Sequence, residues 1–142
     1  MDRGYSLAEL AIVLALIGLV TMLALPSWLT LRDRIAVERA ASEVTTVLAV
    51  TRNTAVLRAT RARLSIAVDS LRIDEWGGRV WLPVGRWPGP AYHSVVLEVT
   101  NPTVIFGATG IGSGASNTSV VLRRGTKSAR ITTSRVGRVK RW

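Results

Sequence analysis

Residues 1–31 read MDRGYSLAELAIVLALIGLVTMLALPSWLTL, and the nature of this stretch decides the fold. A short polar leader ends at Gly4, and an apolar run follows to Leu31 with Glu9 as its only charge. Leu10 to Leu31 makes 22 residues without a charged side chain, about the number a helix needs to cross a bilayer. A carboxylate at the edge of such a run is costly unless it finds a partner, so Glu9 is a functional position by default. Three plainer readings compete. A cleaved secretory signal, with Arg3 as its basic region, calls for a shorter run and a small-x-small cleavage site. A plain anchor leaves Glu9 to snorkel to the interface. A buried core helix is hard to build in so small a chain when every face is apolar.

The pattern changes beyond the run. Pro26 falls inside the helical stretch, where it removes a backbone donor and should kink or loosen the helix. Trp28 can mark the membrane interface. Polar residues then arrive, and Val37, Ala40, Ala41, Val44, Val47, Leu48, Thr51 and Ala55 recur at spacings of three and four. This is the apolar stripe of an amphipathic helix. One helix is therefore expected from near Ser6 to about Ala55. Arg34 with Glu38, and Arg39 with Glu43, are spaced to pair on its exposed face.

After Val56 the chain reads as strands only. They are Arg61–Val68, Leu71–Trp76, Arg79–Leu82, Val95–Thr100, Val104–Phe106, Val120–Arg123, Ala129–Thr133 and a last edge strand within Val136–Arg141. Pro83 to Pro90 (PVGRWPGP) is rich in breakers and reads as a loop. The fold class is α+β: one long N-terminal helix, half apolar and half amphipathic, packed on an antiparallel sheet.

Gly4-Tyr5-Ser6-Leu7-Ala8-Glu9 before an apolar helix resembles the signal of type IV pilins and type II secretion pseudopilins. The resemblance implies cleavage after Gly4 by a prepilin peptidase and N-methylation of Tyr5. Glu9 and Pro26 then occupy family positions. Tyr5 stands where Phe is usual, Ala8 where a larger aliphatic is usual, and Asp2 adds an acid to the leader. The domains that follow are a leader, 1–4, a transmembrane or filament-core segment, 5–31, and a periplasmic globular domain, 32–142. The resemblance also implies that Glu9 meets the N-terminal amine of a neighbouring subunit, and two opposite charges in a low-dielectric core do compensate each other when they meet.

The net charge of +10 is unevenly placed. Residues 5–98 carry ten Arg and eight acids, whereas residues 99–142 carry eight Lys or Arg and no acid. Such asymmetry points to a polyanion or an anionic surface, or to a solvated edge that blocks aggregation. Arg135, Arg138, Lys140 and Arg141 lie around Gly137, with Trp142 last. On an extended strand Arg138 and Lys140 face one way, Val139 and Arg141 the other. Guanidinium groups suit phosphate, and Trp142 offers a ring on which a base can stack. Arg123, Arg124, Lys127 and Arg130 extend the patch.

Val104 to Gly110 (VIFGATG), the strand ending at Leu122, and Arg130 to Val139 (RITTSRVGRV) resemble the GspH/FimT branch of minor pseudopilins and minor pilins. So does the helix end, Arg52 to Val56. The Gly137-Arg138 tail is similar to the Gly-Arg-x-Arg segment with which FimT-type pilins bind DNA, except that Lys140 replaces the second Arg and loses its fork geometry. Two functions follow from the resemblance: a structural subunit of a type II secretion pseudopilus or type IV pilus, or a DNA-binding minor pilin for uptake. The expected partners are other pilin-like subunits, the prepilin peptidase, the inner-membrane assembly platform, and DNA in the second case. The expected location is the inner membrane, single-pass, with the domain in the periplasm.

Trp76, Trp81, Trp87 and Tyr92 lie among Gly and Pro, as a partner surface or as the plug of a small core. Enzyme chemistry has little to work with. There is no cysteine, and His93 is the only histidine. The glycines of GATGIGSG (107–114) lack a following Lys-Ser/Thr and precede a strand, so they do not cradle phosphate. No cofactor is implied.

Overall fold

The computed structural model describes residues 6–114 and 116–142, excepting the side chains of residues 23–26. The expected processing residues Gly4 and Tyr5, and the side chain of Pro26, lie outside what is described. Helix α1 spans Leu7–Leu57, and its backbone stays helical through position 26. It ends where Ala59 takes a left-handed φ of 49°. The Thr60 N–H then returns to the Ala55 carbonyl at 3.1 Å, closing the last turn.

The chain forms two compact units, one ending at Arg32 and the other covering Asp33–Trp142. In the first, the large apolar residues from Leu7 to Met22 are all exposed. Its hydroxyls turn back on the helix: Thr21 Oγ1 donates to the Ile17 carbonyl at 2.7 Å, and Thr30 Oγ1 to the Ser27 carbonyl at 2.9 Å. That suits apolar surroundings, which offer no water to satisfy a polar group.

In the second unit, strands β1 Ala62–Ile66, β2 Ser70–Trp76, β3 Trp81–Pro88 and β5 Thr103–Phe106 form one antiparallel sheet in the order β3-β2-β1-β5. Strands β4 Val96–Val99, β6 Thr118–Arg124, β7 Lys127–Thr133 and β8 Val139–Arg141 form another, β4-β6-β7-β8. The single sheet expected from the sequence is thus two. Alternation explains the core. Ala62, Leu64 and Ile66 of β1, Leu71 and Ile73 of β2, and Val104 and Phe106 of β5 are buried. So are Val120 and Leu122 of β6 and Ala129 and Ile131 of β7. They form one apolar cluster with the predicted helical stripe, whose alanines permit close approach. Thr51 is buried there, its hydroxyl donating to the Val47 carbonyl at 2.7 Å.

Two further expectations need correction. The stretch expected to be a short strand and a Pro-rich loop is largely strand β3. It is an edge strand, and Pro83 sits opposite Asp74 where the register shifts, the kind of position where proline is tolerated. Gly85 leaves room for the Trp87 ring: a Cβ there would stand 2.7 Å from it. A 3-10 turn, Pro90–His93, follows among what was expected to be strands only.

The aromatic residues divide. Trp87 packs partly buried against the core. Trp76 and Trp81 face outward from β2 and β3, and Tyr92 is exposed.

The helical ion pairs do not form as spaced. Glu38 takes Arg141 of β8, and Glu43 Oε1 lies 2.9 Å from His93 Nε2. A local pair on an exposed helix is worth only tenths of a kcal/mol, so tertiary partners displace it.

Candidate functional site

The N-terminal site is built by local sequence. Ser6 precedes the first helical residue, and Glu9 stands in the first turn. The Ser6 N–H donates to Glu9 Oε2 at 3.1 Å, and the Glu9 N–H donates to Ser6 Oγ at 3.2 Å. This is a capping box: two helix-end donors are satisfied reciprocally, and the carboxylate sits at the positive end of the helix dipole. The Ser-x-x-Glu spacing is plain in the sequence and was the signal to read. Above it, ten large apolar residues from Leu7 to Met22 face outward at half exposure or more. Burying each in a bilayer or against other helices is worth roughly 1.5–3 kcal/mol. This is the one helix among the described residues long and apolar enough to cross a membrane.

The second site is the outer face of the sheet holding β8. Strands β7 and β8 form a hairpin with Thr132 opposite Lys140 and Thr133 opposite Val139. Its turn depends on Gly137, which has φ 72°. A Cβ at that position would stand 2.6 Å from the Gly110 carbonyl oxygen. Arg52 of α1 reaches the Gly137 carbonyl at 3.5 Å.

Alternation then sorts the cations. Arg141 turns to the helix and pairs with Glu38. Arg124 also turns inward, donating through Nε to Asp33 Oδ1 at 2.9 Å and through Nη1 to the His93 carbonyl at 2.6 Å. Arg123 faces out but has Glu98 at 3.6 Å. The patch expected from sequence therefore loses Arg141 and Arg124.

What remains together is Arg130, Lys140 and Trp142 on the outward face. Arg130 and Trp142 exchange backbone hydrogen bonds at 3.1 and 2.9 Å. The Lys140 ammonium lies 3.9 Å from the Trp142 ring centroid. Arg135, Arg138 and Lys140 line a shallow recess of about 550 Å³ at the hairpin end. None of these cations has a carboxylate partner among the described residues.

A model of the family described as type II transport protein GspH matches residues 40–137. No curated protein shows a significant sequence match. Among solved structures, the type IV minor pilin FimU of Pseudomonas aeruginosa PAO1 superimposes with a TM-score of 0.64 at 17% identity, over 75% of this chain and 88% of FimU. The minor pseudopilin EpsH from the Type 2 Secretion System of Vibrio cholerae gives 0.60 at 11% identity, over 75% of this chain and 95% of EpsH. Both share the arrangement of one long N-terminal helix and antiparallel sheets. The family match spans well over half the chain: it belongs to the GspH family of minor pseudopilins and pilins, structural subunits rather than enzymes.

Proposed function

We propose that the chain is a minor subunit of a type II secretion pseudopilus or a type IV pilus, made as an inner-membrane precursor. It is cleaved after Gly4 by a prepilin peptidase, methylated at Tyr5, and drawn by the assembly platform into a periplasmic filament that serves protein export. The observation that carries this reading is the N-terminal half of α1. Its large apolar residues from Leu7 to Met22 stay exposed, and among the described residues its single carboxylate meets Ser6. A helix apolar on all faces with one edge carboxylate suits first a bilayer and then a bundle of like helices, in which Glu9 meets a neighbour's amine. Glu9→Ala should leave membrane insertion intact and reduce incorporation into filaments, read by membrane fractionation and by shearing and quantifying assembled subunits. Normal incorporation of the mutant would remove Glu9 from the mechanism.

A second reading is DNA binding during uptake. It is favoured by the cations of the last forty residues that lack carboxylates, which gather around Trp142 and the hairpin recess. Two features weigh against it. Arg141 is tied to Glu38, and one face of the Trp142 ring carries Lys140. Duplex retardation that falls steeply with salt and is lost in Arg138→Ala with Lys140→Ala would establish this reading, and absence of retardation at low salt would end it.

A further inference from the structure

The outer face of the β3-β2-β1-β5 sheet carries a chain of contacts that the filament reading does not use. Strand register places Trp76 opposite Trp81 and Arg63 opposite Asp74. The Arg61 guanidinium lies 5.0 Å from the Trp76 ring centroid. Trp76 meets Trp81 edge to face at 5.3 Å. Arg63 lies 4.5 Å from the Trp81 centroid and also donates to Asp74 Oδ2 at 2.7 Å. Asp74 is 3% exposed and takes Arg72 on its other oxygen at 3.2 Å. A pair of tryptophans is thus flanked by two guanidinium groups.

We infer that this face binds an acidic, extended segment of another protein, with a carboxylate on Arg61 and its apolar side chains against the tryptophan edges. Charge is the first argument. Arg58, Arg61, Arg63, Arg72 and Arg79 stand at this end of the sheet against Asp74 and Glu75 alone, and Arg61 and Arg79 have no carboxylate among the described residues. The second argument is rigidity. Guanidinium groups held over rings lose little freedom on binding a carboxylate, and buried Trp and Arg are the residues that concentrate binding energy at interfaces.

The arrangement also separates a protein partner from a nucleic acid. Base stacking needs a free ring face. Here each tryptophan carries a guanidinium on one face and shares an edge-to-face contact with the other tryptophan. A second copy of this chain fits poorly. Every described carboxylate is already engaged: Glu9 with Ser6, Asp33 with Arg124, Glu38 with Arg141, Glu43 with His93, Asp69 with Arg86, Asp74 and Glu75 as above, and Glu98 with Arg123. An acidic segment of a different protein brings carboxylates that need not first give up a partner.

The test uses the full chain in detergent micelles and a labelled peptide of about a dozen residues alternating glutamate with phenylalanine, followed by fluorescence anisotropy. Its glutamine counterpart is the control. The acidic peptide is expected to bind about tenfold more tightly than the glutamine peptide, and Arg61→Gln to abolish that advantage. Arg130→Gln, on the other sheet, should leave it intact. Arg61 is exposed and has no carboxylate partner among the described residues, so its loss of binding should come with at most a small change in melting midpoint. The inference is overturned if the two peptides bind alike, if Arg61→Gln binds as the wild type does, or if the loss follows Arg130→Gln instead. It is also overturned if single-stranded DNA binds this face, with loss in Arg61→Gln, while the acidic peptide does not.

Discussion

Arg123 and Arg124 are neighbours in the sequence and face opposite sides of one strand. Arg124 is mostly buried between Asp33 and the His93 carbonyl. Removing it strands a carboxylate and a carbonyl that have few other partners, which costs about 1–3 kcal/mol. Arg123 meets Glu98 in the open, with both side chains more than half exposed, and such pairs contribute roughly 0–1 kcal/mol. Urea denaturation of Arg124→Ala and Arg123→Ala should therefore show a clear loss of midpoint for the first and almost none for the second. Gly137→Ala should be costlier than its small change suggests, by about 1–3 kcal/mol. Its φ is left-handed and the Gly110 carbonyl blocks the new Cβ. The same denaturation series reads this, and a midpoint equal to wild type would contradict the account of the turn.

At the scale of elements, periodicity was readable and long-range partners were not. The helical stripe from Val37 to Ala55 and most strands announce themselves by spacing alone, because one face of each must be apolar. Strand β3 did not, since Pro83, Gly85 and Pro88 carry no strand signal, and only its place at a sheet edge with a shifted register admits them. The ion pairs of the helix were misread for a related reason. Spacing proposes Arg34 and Arg39 as partners, but it cannot register residues about fifty or a hundred positions away that arrive on the same carboxylates. The N-terminal site was legible in its Glu9 and missed in its Ser6 cap. The C-terminal site was legible as a set of cations, while the inward turn of Arg124 depends on tertiary packing. The helix itself yields a prediction. Ala41 is fully buried where α1 meets the sheets, so Ala41→Leu should overpack that contact and cost about 1–3 kcal/mol. Arg39→Ala, one turn face away and exposed, should be near neutral; thermal unfolding of the pair distinguishes them.

At the scale of the globular unit, the apolar stripe of α1 is covered partly from late in the chain. Val120 and Leu122 of β6 and Ala129 and Ile131 of β7 belong to its core, and three long-range ties bind the helix to the same region. Asp33 takes Arg124, Glu38 takes Arg141, and Arg52 takes the Gly137 carbonyl. A chain ending at residue 126 would keep the first sheet and lose β7, β8 and two of the ties. It should be cut by protease within residues 33–57 under conditions where the full chain resists, and equal resistance would show that the first sheet alone suffices.

The same ties impose an order in time. A polypeptide emerges from its N-terminus, so residues 33–57 exist long before their partners at 124, 137 and 141. Contacts that close loops of 85 residues or more are the slowest to find, and here they await residues 124 to 141. The stripe of the helix therefore gains these ties only after residues 124–141 have emerged, and the domain closes late rather than as α1 is made.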